Sequence, residues 1–209
     1  MTRSFHRRLV LSIPRLSRPV VPVLCLVVTL LALGPGVVRA EVGEVLSFRR
    51  YPVAVGPDES LAEALARATP VRPRWWQRFH GLAVWNVRWS YRQEIDAGGR
   101  CGAADVAVEV VTEITLPELT QATEAQRRTF QTYLDALRTH EQGHHAIAVG
   151  AGQQVLAAIR DAGTWPDCTG LDAQVGRLTE RIIAEAKATE QRYDADTGYG
   201  RTQGAHLER

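Results

Sequence analysis

The sequence lacks the features that mark several large classes of protein. With only three cysteines in 209 residues it is not a disulfide-rich scaffold, and without an internal repeat it is not a solenoid. Its 25 lysines and arginines nearly balance 23 acidic residues, so no basic surface of the kind that binds nucleic acid is indicated. The apolar fraction of 45% and the charged fraction of 23% are those of an ordinary globular protein with one core.

The first forty residues differ in character from the rest. Five arginines and no acidic residue precede an apolar run over 19–33, which is short and contains a proline, unlike a membrane span. The stretch GPGVVRA follows and ends on the small residue Ala40. This order is typical of a secretory signal, and it predicts a signal peptide over residues 1–40 and a mature protein in the periplasm or outside the cell.

Removal of that leader changes the charge and the cysteine count. Six of the 25 basic residues lie within it, so the remaining chain has 25 − 6 = 19 basic and 23 acidic residues, a net charge of −4. Cys25 also lies in the leader, which leaves Cys101 and Cys168 as a pair in an oxidising compartment. The pair predicts one disulfide bond, and neither a nucleic-acid partner nor a membrane span is expected of the mature chain.

The first half of the mature sequence is strand-like. Residues 41–55 predict a strand, and a short helix capped by Asp58 follows. The segment LAVWNVRWSYRQE alternates apolar and polar side chains, as a half-buried strand does. After the turn DAGGRCG, the segment ADVAVEVVTEITLP predicts a further strand, antiparallel to the previous one.

The sequence after Pro117 is helical in pattern. Thr123 and Gln126 have the spacing of a capping box, and no proline follows for more than forty residues. A long helix is therefore predicted over about 124–162, and a second over about 171–191. The predicted fold class is α+β, with a small antiparallel sheet packed on a long helical hairpin.

The first predicted helix contains three of the six histidines, in the stretch LRTHEQGHHAIAVG. Apolar side chains recur every three or four residues along one of its faces, at Phe130, Tyr133, Leu137, Ile147 and Ala151. His140 and His144 interrupt this face one turn apart, so both imidazoles can reach one cation, and Glu141 lies at the edge of the same face. This is the His-Glu-x-x-His pattern of zinc peptidases, in which the glutamate is the general base.

The alternative is that these histidines are satisfied within an ordinary core. Gly143 argues against it, because a glycine inside a helix costs about 1 kcal/mol relative to alanine. A glycine at this position is more easily understood where another backbone or a substrate must approach the helix closely. His145 points off the apolar face and is expected to support the site from behind or to face solvent.

The chain resembles a family of bacterial predicted secreted zinc-dependent proteases that carries a domain-of-unknown-function label. The resemblance rests on HEQGHH, the two strands before it, the cysteine pair and the tail YDADTGYGRTQGA. It implies one zincin-like metallopeptidase domain, which would occupy residues 41–209. In the family pattern a histidine usually precedes the second glycine of TGYG, where this chain has Tyr199.

A catalytic zinc ion takes three protein ligands, so a further ligand is expected beside the two histidines. The helical hairpin places His144 opposite residues 185–194 of the second predicted helix. Asp194 ranks first because it lies at that level and within the tail that carries the resemblance. Glu185, the next residue on the apolar face of the second helix, ranks second. Asp196 ranks third, on its spacing to Tyr199 alone.

The spacing from Asp196 to Tyr199 and Gly200 is similar to the Asp-x-x-Tyr-Gly element of aspartate-liganded zinc peptidases. That resemblance implies that Tyr199 helps to stabilise the transition state, with its hydroxyl directed towards the open side of the metal. Two other acids of the second helix, Glu180 and Glu190, are expected to be solvated.

The sequence thus predicts an exported peptidase with one zinc ion, held by His140, His144 and Asp194, that acts on peptide or protein substrates of the cell envelope. Glu141 would deprotonate the attacking water and Tyr199 would assist catalysis. A second interpretation is a catalytically silent binding module of the cell envelope on the same scaffold. Tyr199, a departure from the family pattern, leaves that interpretation open.

Overall fold

The computed structural model describes residues 42–72 and 78–207, and the predicted signal peptide lies outside them. The described part contains three strands and three helices. They are β1 (Gly43–Ala54), α1 (Leu61–Ala68), β2 (Leu82–Ile95), β3 (Cys101–Gln121), α2 (Glu124–Arg160) and α3 (Cys168–Thr197), followed by a short 3₁₀ helix at Arg201–Gln203. Within these two ranges, no helix has the length and apolar character needed to cross a membrane.

The three strands form one sheet in the order β1-β3-β2. β2 is antiparallel to β3 as predicted, with Leu82 opposite Thr115 and Ile95 opposite Cys101. β1 runs parallel to β3, so the sheet is mixed, and the prediction of a purely antiparallel sheet is wrong. A parallel pair is joined by a long crossover rather than by a tight turn, and no local sequence pattern marks its partner.

β3 continues past the point at which a helical pattern was predicted. It extends to Gln121, with Pro117 opposite Tyr51 of β1. Pairing with β2 reaches only to Thr115, so Pro117 lies where β3 has a single neighbour. A proline is tolerated there because its missing N–H can fall on the unpaired side of the strand.

The helix caps explain where α1 and α2 begin. The Thr123 side chain accepts from the N–H of Gln126, whose own side chain accepts from Thr123, and this is the predicted capping box. α1 is capped in the same way by Ser60 with Glu63, and the predicted cap Asp58 is wrong. A capping box needs an acid or amide three residues after the cap, which Ser60 has and Asp58 lacks.

α3 is longer than predicted at both ends. It begins after Asp167, whose side chain accepts from the N–H of Gly170, and it ends at Thr197, six residues beyond the predicted end at Gln191. Gly198 in the left-handed conformation then stops the helix. The extension places Asp194 inside α3, where the helix holds it against α2, rather than in a following turn.

α2 packs beneath β3 and β2 and separates two apolar clusters. One cluster joins the C-terminal half of α2 to β3 and α3, and it includes Val108, Val110, Val155, Ile159 and Leu171. The other joins the N-terminal half of α2 to α1 and the far end of the sheet, and it includes Tyr51, Leu65, Ile114, Phe130 and Leu134. The residues His140 to His144 lie between the two clusters, so packed side chains hold this stretch of α2 from both sides.

The predicted disulfide between Cys101 and Cys168 is present. It joins the first residue of β3 to the first residue of α3, and the backbone of Cys101 also exchanges two hydrogen bonds with Trp165. The bond therefore attaches the sheet to the helical hairpin.

Replacement of Cys101 and Cys168 by serine is expected to lower the free energy of unfolding by about 4 kcal/mol. The bond closes a loop with a sequence separation of 67, and opening it restores conformational entropy to the unfolded chain. Urea unfolding of the wild-type and doubly substituted proteins measures the difference. Two titratable thiols in unreduced, denatured protein that begins at residue 41 would contradict the bond.

Candidate metal centre

Two histidines and one aspartate converge between α2 and α3. His140 and His144 lie on successive turns of α2 and are only 4% and 8% exposed. Nε2 of His140 lies 3.3 Å from Oδ1 of Asp194, and Nε2 of His144 lies 3.1 Å from the same oxygen. Ligand atoms around one tetrahedral zinc ion are roughly 3.3 Å apart. The three side chains could therefore hold one metal ion.

The other ring nitrogen of each histidine lies against an oxygen acceptor. Nδ1 of His140 is 3.0 Å from Oε1 of Gln203, and Nδ1 of His144 is 3.2 Å from Oε1 of Glu190. When Nδ1 donates to these oxygens, the neutral ring presents the lone pair of Nε2 towards Asp194. Metal-binding histidines are held in this way, by a hydrogen bond from the nitrogen that does not bind the metal. The donor set and its supporting contacts fit a metal ion.

The histidines and the acidic side chains of this cluster favour each other's charged forms. Burial disfavours the protonated form of His144, but its hydrogen bonds to Asp194 and Glu190 outweigh burial and raise its pKa to about 9. Burial disfavours the charged form of Asp194, but the hydrogen bonds from the two histidines outweigh it and hold its pKa well below the usual range. The shift at His144 reflects the acidic side chains beside it, and the shift at Asp194 reflects the two imidazoles; a metal cation can neutralise these carboxylates as a proton does.

Glu141 is buried beside the two histidines and is 4% exposed. Burial raises the pKa of its carboxyl to about 7, although His140, His144 and the backbone N–H of Ala83 act in the opposite direction. A side chain added at Gly81 would collide with this carboxylate, so the glycine allows the chain leading into β2 to approach it. A carboxyl with a pKa near 7 can both accept and donate a proton at neutral pH.

A group does approach Gly143 closely, but it is the side chain of Tyr193 and not another backbone or a substrate as predicted. The Tyr193 hydroxyl donates to the backbone oxygen of His140 over 3.1 Å and occupies the space that a side chain at Gly143 would need. Its ring stacks on that of His140, with centroids 5.1 Å apart and planes 10° apart. Gly143 therefore lets α3 contact α2 at the level of the site. Sequence reasoning did not single out Tyr193.

The segment after α3 turns back onto the site through three consecutive residues with positive φ. Gly198, Tyr199 and Gly200 have φ of 57°, 57° and 81°. Gly200 packs against the ring of His140, where a side chain would crowd Cγ. This turn also brings Gln203 to His140. The glycines are required because a left-handed backbone conformation costs other residues roughly 1–2 kcal/mol.

Tyr199 lies at the rim of the site rather than within the group of three side chains. It is 53% exposed and stacks on Phe79, with ring centroids 5.2 Å apart. It also lines the cavity beside the histidines. The expectation that its hydroxyl faces the open side of a metal stays a prediction.

Glu185 and Asp196 do not meet the histidines. Glu185 is exposed, with its nearest cation at 3.9 Å on Arg181, and Asp196 is exposed as well. From Ile182 the helical period continues along the buried face of α3 to Ala186, so Glu185 points away from it. Of the three ranked acids, Asp194 is the one that lies beside both histidines, and its role as a metal ligand stays a prediction.

Glu190 was expected to be solvated, and this expectation is wrong. Its Oε1 accepts from Nε1 of Trp85 over 2.6 Å as well as facing His144. It lies four residues beyond Ala186 on the buried face of α3 and four before Asp194. This spacing is the sequence feature that could have identified it, had the face of α3 been followed in steps of four.

His145 also differs from expectation. Its Nδ1 lies 2.9 Å from Oγ1 of Thr112 and its Nε2 lies 3.4 Å from Oε2 of Glu44, so it contacts the sheet. Its side chain is 14% exposed, and it neither faces solvent nor supports the other two histidines. Its ring points from α2 towards β3 and β1 because it lies about 100° around the helix from His144.

A cavity of about 510 Å³ opens beside the candidate metal centre. Its wall is formed by the segment leading into β2 and by side chains of α2, α3 and the tail, among them Phe79, Leu82, Leu137, Lys187, Tyr199 and Ala205. His80 also lines it, with Nδ1 2.6 Å from the Tyr133 hydroxyl, and burial lowers the pKa of His80. The cavity is large enough to accept several side chains of a ligand.

The fold and this site define an α+β protein with a histidine and aspartate cluster that could bind a metal ion. The chain belongs to a bacterial family of unknown function, described as bacterial protein of unknown function (DUF922), whose pattern it matches over residues 48–201. The matched region includes the three clustered side chains and Glu141. No curated protein and no solved structure matches the chain.

Proposed function

We propose that this protein is a zinc-dependent peptidase that acts in the periplasm or outside the cell. One observation supports the proposal above all: Nε2 of His140, Nε2 of His144 and Oδ1 of Asp194 converge beside the buried carboxyl of Glu141. Two nitrogens and one oxygen are a common donor set for catalytic zinc, which leaves a position for substrate or water. The acceptors at both Nδ1 atoms support the same assignment.

Zinc held by these side chains would polarise a substrate carbonyl and make a water molecule easier to deprotonate. Glu141 would accept the proton of the attacking water and then donate it to the amine that leaves when the C–N bond breaks. Its burial holds its pKa near the pH at which both transfers are efficient. Tyr199, at the rim, would donate a hydrogen bond to the substrate oxygen.

The substrate is proposed to be an extended peptide or a protein segment of the cell envelope. β2 begins at Leu82 in the wall of the cavity, and among the described residues no strand pairs with its outer edge. An extended peptide can add to such an edge through main-chain hydrogen bonds, while its side chains enter pockets. Export is supported by the pattern of residues 1–40 and by the disulfide, which is stable in an oxidising compartment.

A second candidate function is a binding module that keeps the metal and does not hydrolyse. The position of Tyr199 favours it, because this residue is half exposed and stacked on Phe79, and the family that the sequence resembles usually has a histidine there. Binding without hydrolysis would use the same cavity and the same edge of β2.

Purified protein reconstituted with zinc and then dialysed is expected to contain about one zinc ion per chain and to cleave members of a peptide library. Elemental analysis measures the metal, and mass spectrometry of the library measures cleavage, with a chelator and zinc re-addition as the control. Metal-free protein after reconstitution would contradict the site. Retained zinc without any cleavage would favour the binding module.

Replacement of Glu190 by alanine is expected to weaken zinc binding by about 10- to 100-fold, because His144 loses the acceptor that orients its ring. Glu190→Gln should have a smaller effect, since its amide oxygen can still accept from His144 and Trp85. Chelator competition measures the affinity. Glu180→Ala, at an exposed position of the same helix, is the matched control and should bind zinc as the wild type does.

A further inference from the structure

β1 contains a stretch that no other described part of the protein covers. All eight residues 43–50 are exposed, so neither face of the strand is buried there. They include three large apolar side chains: Val45 is 45% exposed, Leu46 36% and Phe48 46%. β1 is also an edge strand, and within residues 42–72 and 78–207 nothing pairs with its outer side. Apolar side chains and unpaired main-chain groups are thus exposed together.

Most of the usual protections of an edge strand are missing from this stretch. Natural edge strands avoid pairing through charged side chains (lysine above all), proline, bulges or a short length. Residues 43–50 contain neither proline nor lysine, their charged residues are Glu44, Arg49 and Arg50, and their register with β3 is regular. The irregularity in β1 lies further on, between Val53 and Ala54. The outer edge of β1 is therefore able to accept another strand.

One face of the stretch EVLSFRR is self-complementary in one antiparallel register. When Ser47 lies opposite Ser47 of a second copy, Glu44 lies opposite Arg50 and Leu46 lies opposite Phe48, so directly opposite residues on this face join opposite charges and pair apolar side chains. On the other face Val45 lies opposite Arg49, whose guanidinium already pairs with Glu113 of its own chain over 2.9 Å. A shift by two residues in either direction would mismatch the first face, with Glu44 opposite Phe48 or Leu46 opposite Arg50.

We propose that two copies of this protein associate through the outer edges of β1, about a two-fold axis at Ser47. The contact would join two three-stranded sheets into one of six strands, with the helices of both copies on the same face. Glu44, Leu46, Phe48 and Arg50 lie on that face, because their partners in β3 include the buried residues Val110 and Ile114. α2 packs beneath β3 and β2, which leaves space beside β1 for the paired leucines and phenylalanines.

Two of the three charged residues of the stretch, Glu44 and Arg50, can pair across the axis. Their side chains are 49% and 51% exposed, and their own-chain contacts lie at 3.4 Å to His145 and 3.9 Å to Glu118. A contact of about seven residues a side buries roughly 1,000 Å², at the small end of specific interfaces, so micromolar dissociation is expected. β2, not β1, borders the cavity, so the association leaves both metal centres accessible and does not depend on the proposed function.

Charge reversal tests the register. Sedimentation equilibrium of the wild-type protein is expected to give a monomer–dimer equilibrium. Glu44→Arg or Arg50→Glu alone should weaken it by at least about tenfold, because each places two pairs of like charges across the axis. The double substitution Glu44→Arg with Arg50→Glu restores both opposite pairs and should return the dissociation constant to within about threefold of the wild type. Arg88→Glu, on the outer face of β2, is the matched control and should leave the equilibrium unchanged.

Circular dichroism of each variant separates a lost interface from a lost fold. A wild-type protein that stays monomeric at about 1 mM, well above the expected dissociation constant, would overturn the proposal. A dimer that is indifferent to both single substitutions, or that the double substitution fails to restore, would overturn it as well. As a second measurement, Ser47→Cys should form a disulfide-linked dimer on mild oxidation, since the two cysteines would face each other across the axis.

Discussion

Replacement of Glu141 by glutamine is expected to reduce peptide hydrolysis by roughly 10²- to 10⁴-fold while zinc stays bound. Glutamine has nearly the same volume and retains an oxygen that can accept from the backbone N–H of Ala83, so the packing of α2 is preserved. Its amide cannot accept the proton of the attacking water. The loss should therefore fall on kcat, with zinc content by elemental analysis unchanged.

Glu185→Gln is the matched control, because Glu185 is an exposed acid of α3 at which no loss of activity is expected. A Glu141→Gln protein with wild-type kcat would remove Glu141 from the mechanism. Loss of zinc in the same variant would instead show that Glu141 helps to hold the metal. The two measurements together distinguish these outcomes.

Replacement of Asp194 by alanine is expected to weaken zinc binding by roughly 10³-fold or more, because one of three protein ligands is lost. His140→Ala and His144→Ala should weaken it to a similar degree. The variant should also lose most of the increase in melting temperature that zinc gives the wild type, because only binding to the folded state stabilises it. Chelator competition measures the affinity, and thermal unfolding with and without zinc measures the stabilisation.

Glu185→Ala and Asp196→Ala are the controls for this prediction, since both acids are exposed and lie away from the two histidines. Wild-type affinity in Asp194→Ala would exclude Asp194 as a ligand. If Glu185→Ala lost the metal instead, Glu185 would be a ligand. Asp194 would then only accept hydrogen bonds from the two histidines.

Local sequence pattern was sufficient to predict most of the helices and strands. The alternation in LAVWNVRWSYRQE marks β2 because successive side chains of a strand face opposite sides, and the capping box at Thr123 marks the start of α2 because it satisfies free N–H groups. Local pattern failed to predict strand pairing where the paired strands are distant in the sequence. The parallel pairing of β1 with β3 and the continuation of β3 past Pro117 depend on neighbours that no turn signal identifies.

The candidate site, like the fold, was predicted in part from local pattern and in part only shown by tertiary contacts. The pairing of His140 with His144 and the place of Glu141 follow from the sequence alone, because residues one turn apart on a helix share a face whatever surrounds them. Asp194 could be ranked first from the length of the hairpin, but only the packing of α3 against α2 brings its oxygen to both imidazoles.

Only the tertiary structure shows that Glu190, Tyr193 and Gln203 contact the two histidines. Their contacts with the histidines depend on the rotation of α3 about its axis and on the turn at Gly198 to Gly200, which brings the tail back to α2. An error of one residue in following a helical face changes the predicted direction of a side chain by about 100°. For this reason the sequence pattern favoured Glu185 as a candidate ligand and indicated that Glu190 is solvated. The sequence by itself determined that two imidazoles and a carboxyl share one face of α2. The packing of α3 against that face determined which other groups complete the site, because those contacts join residues about fifty or more positions apart.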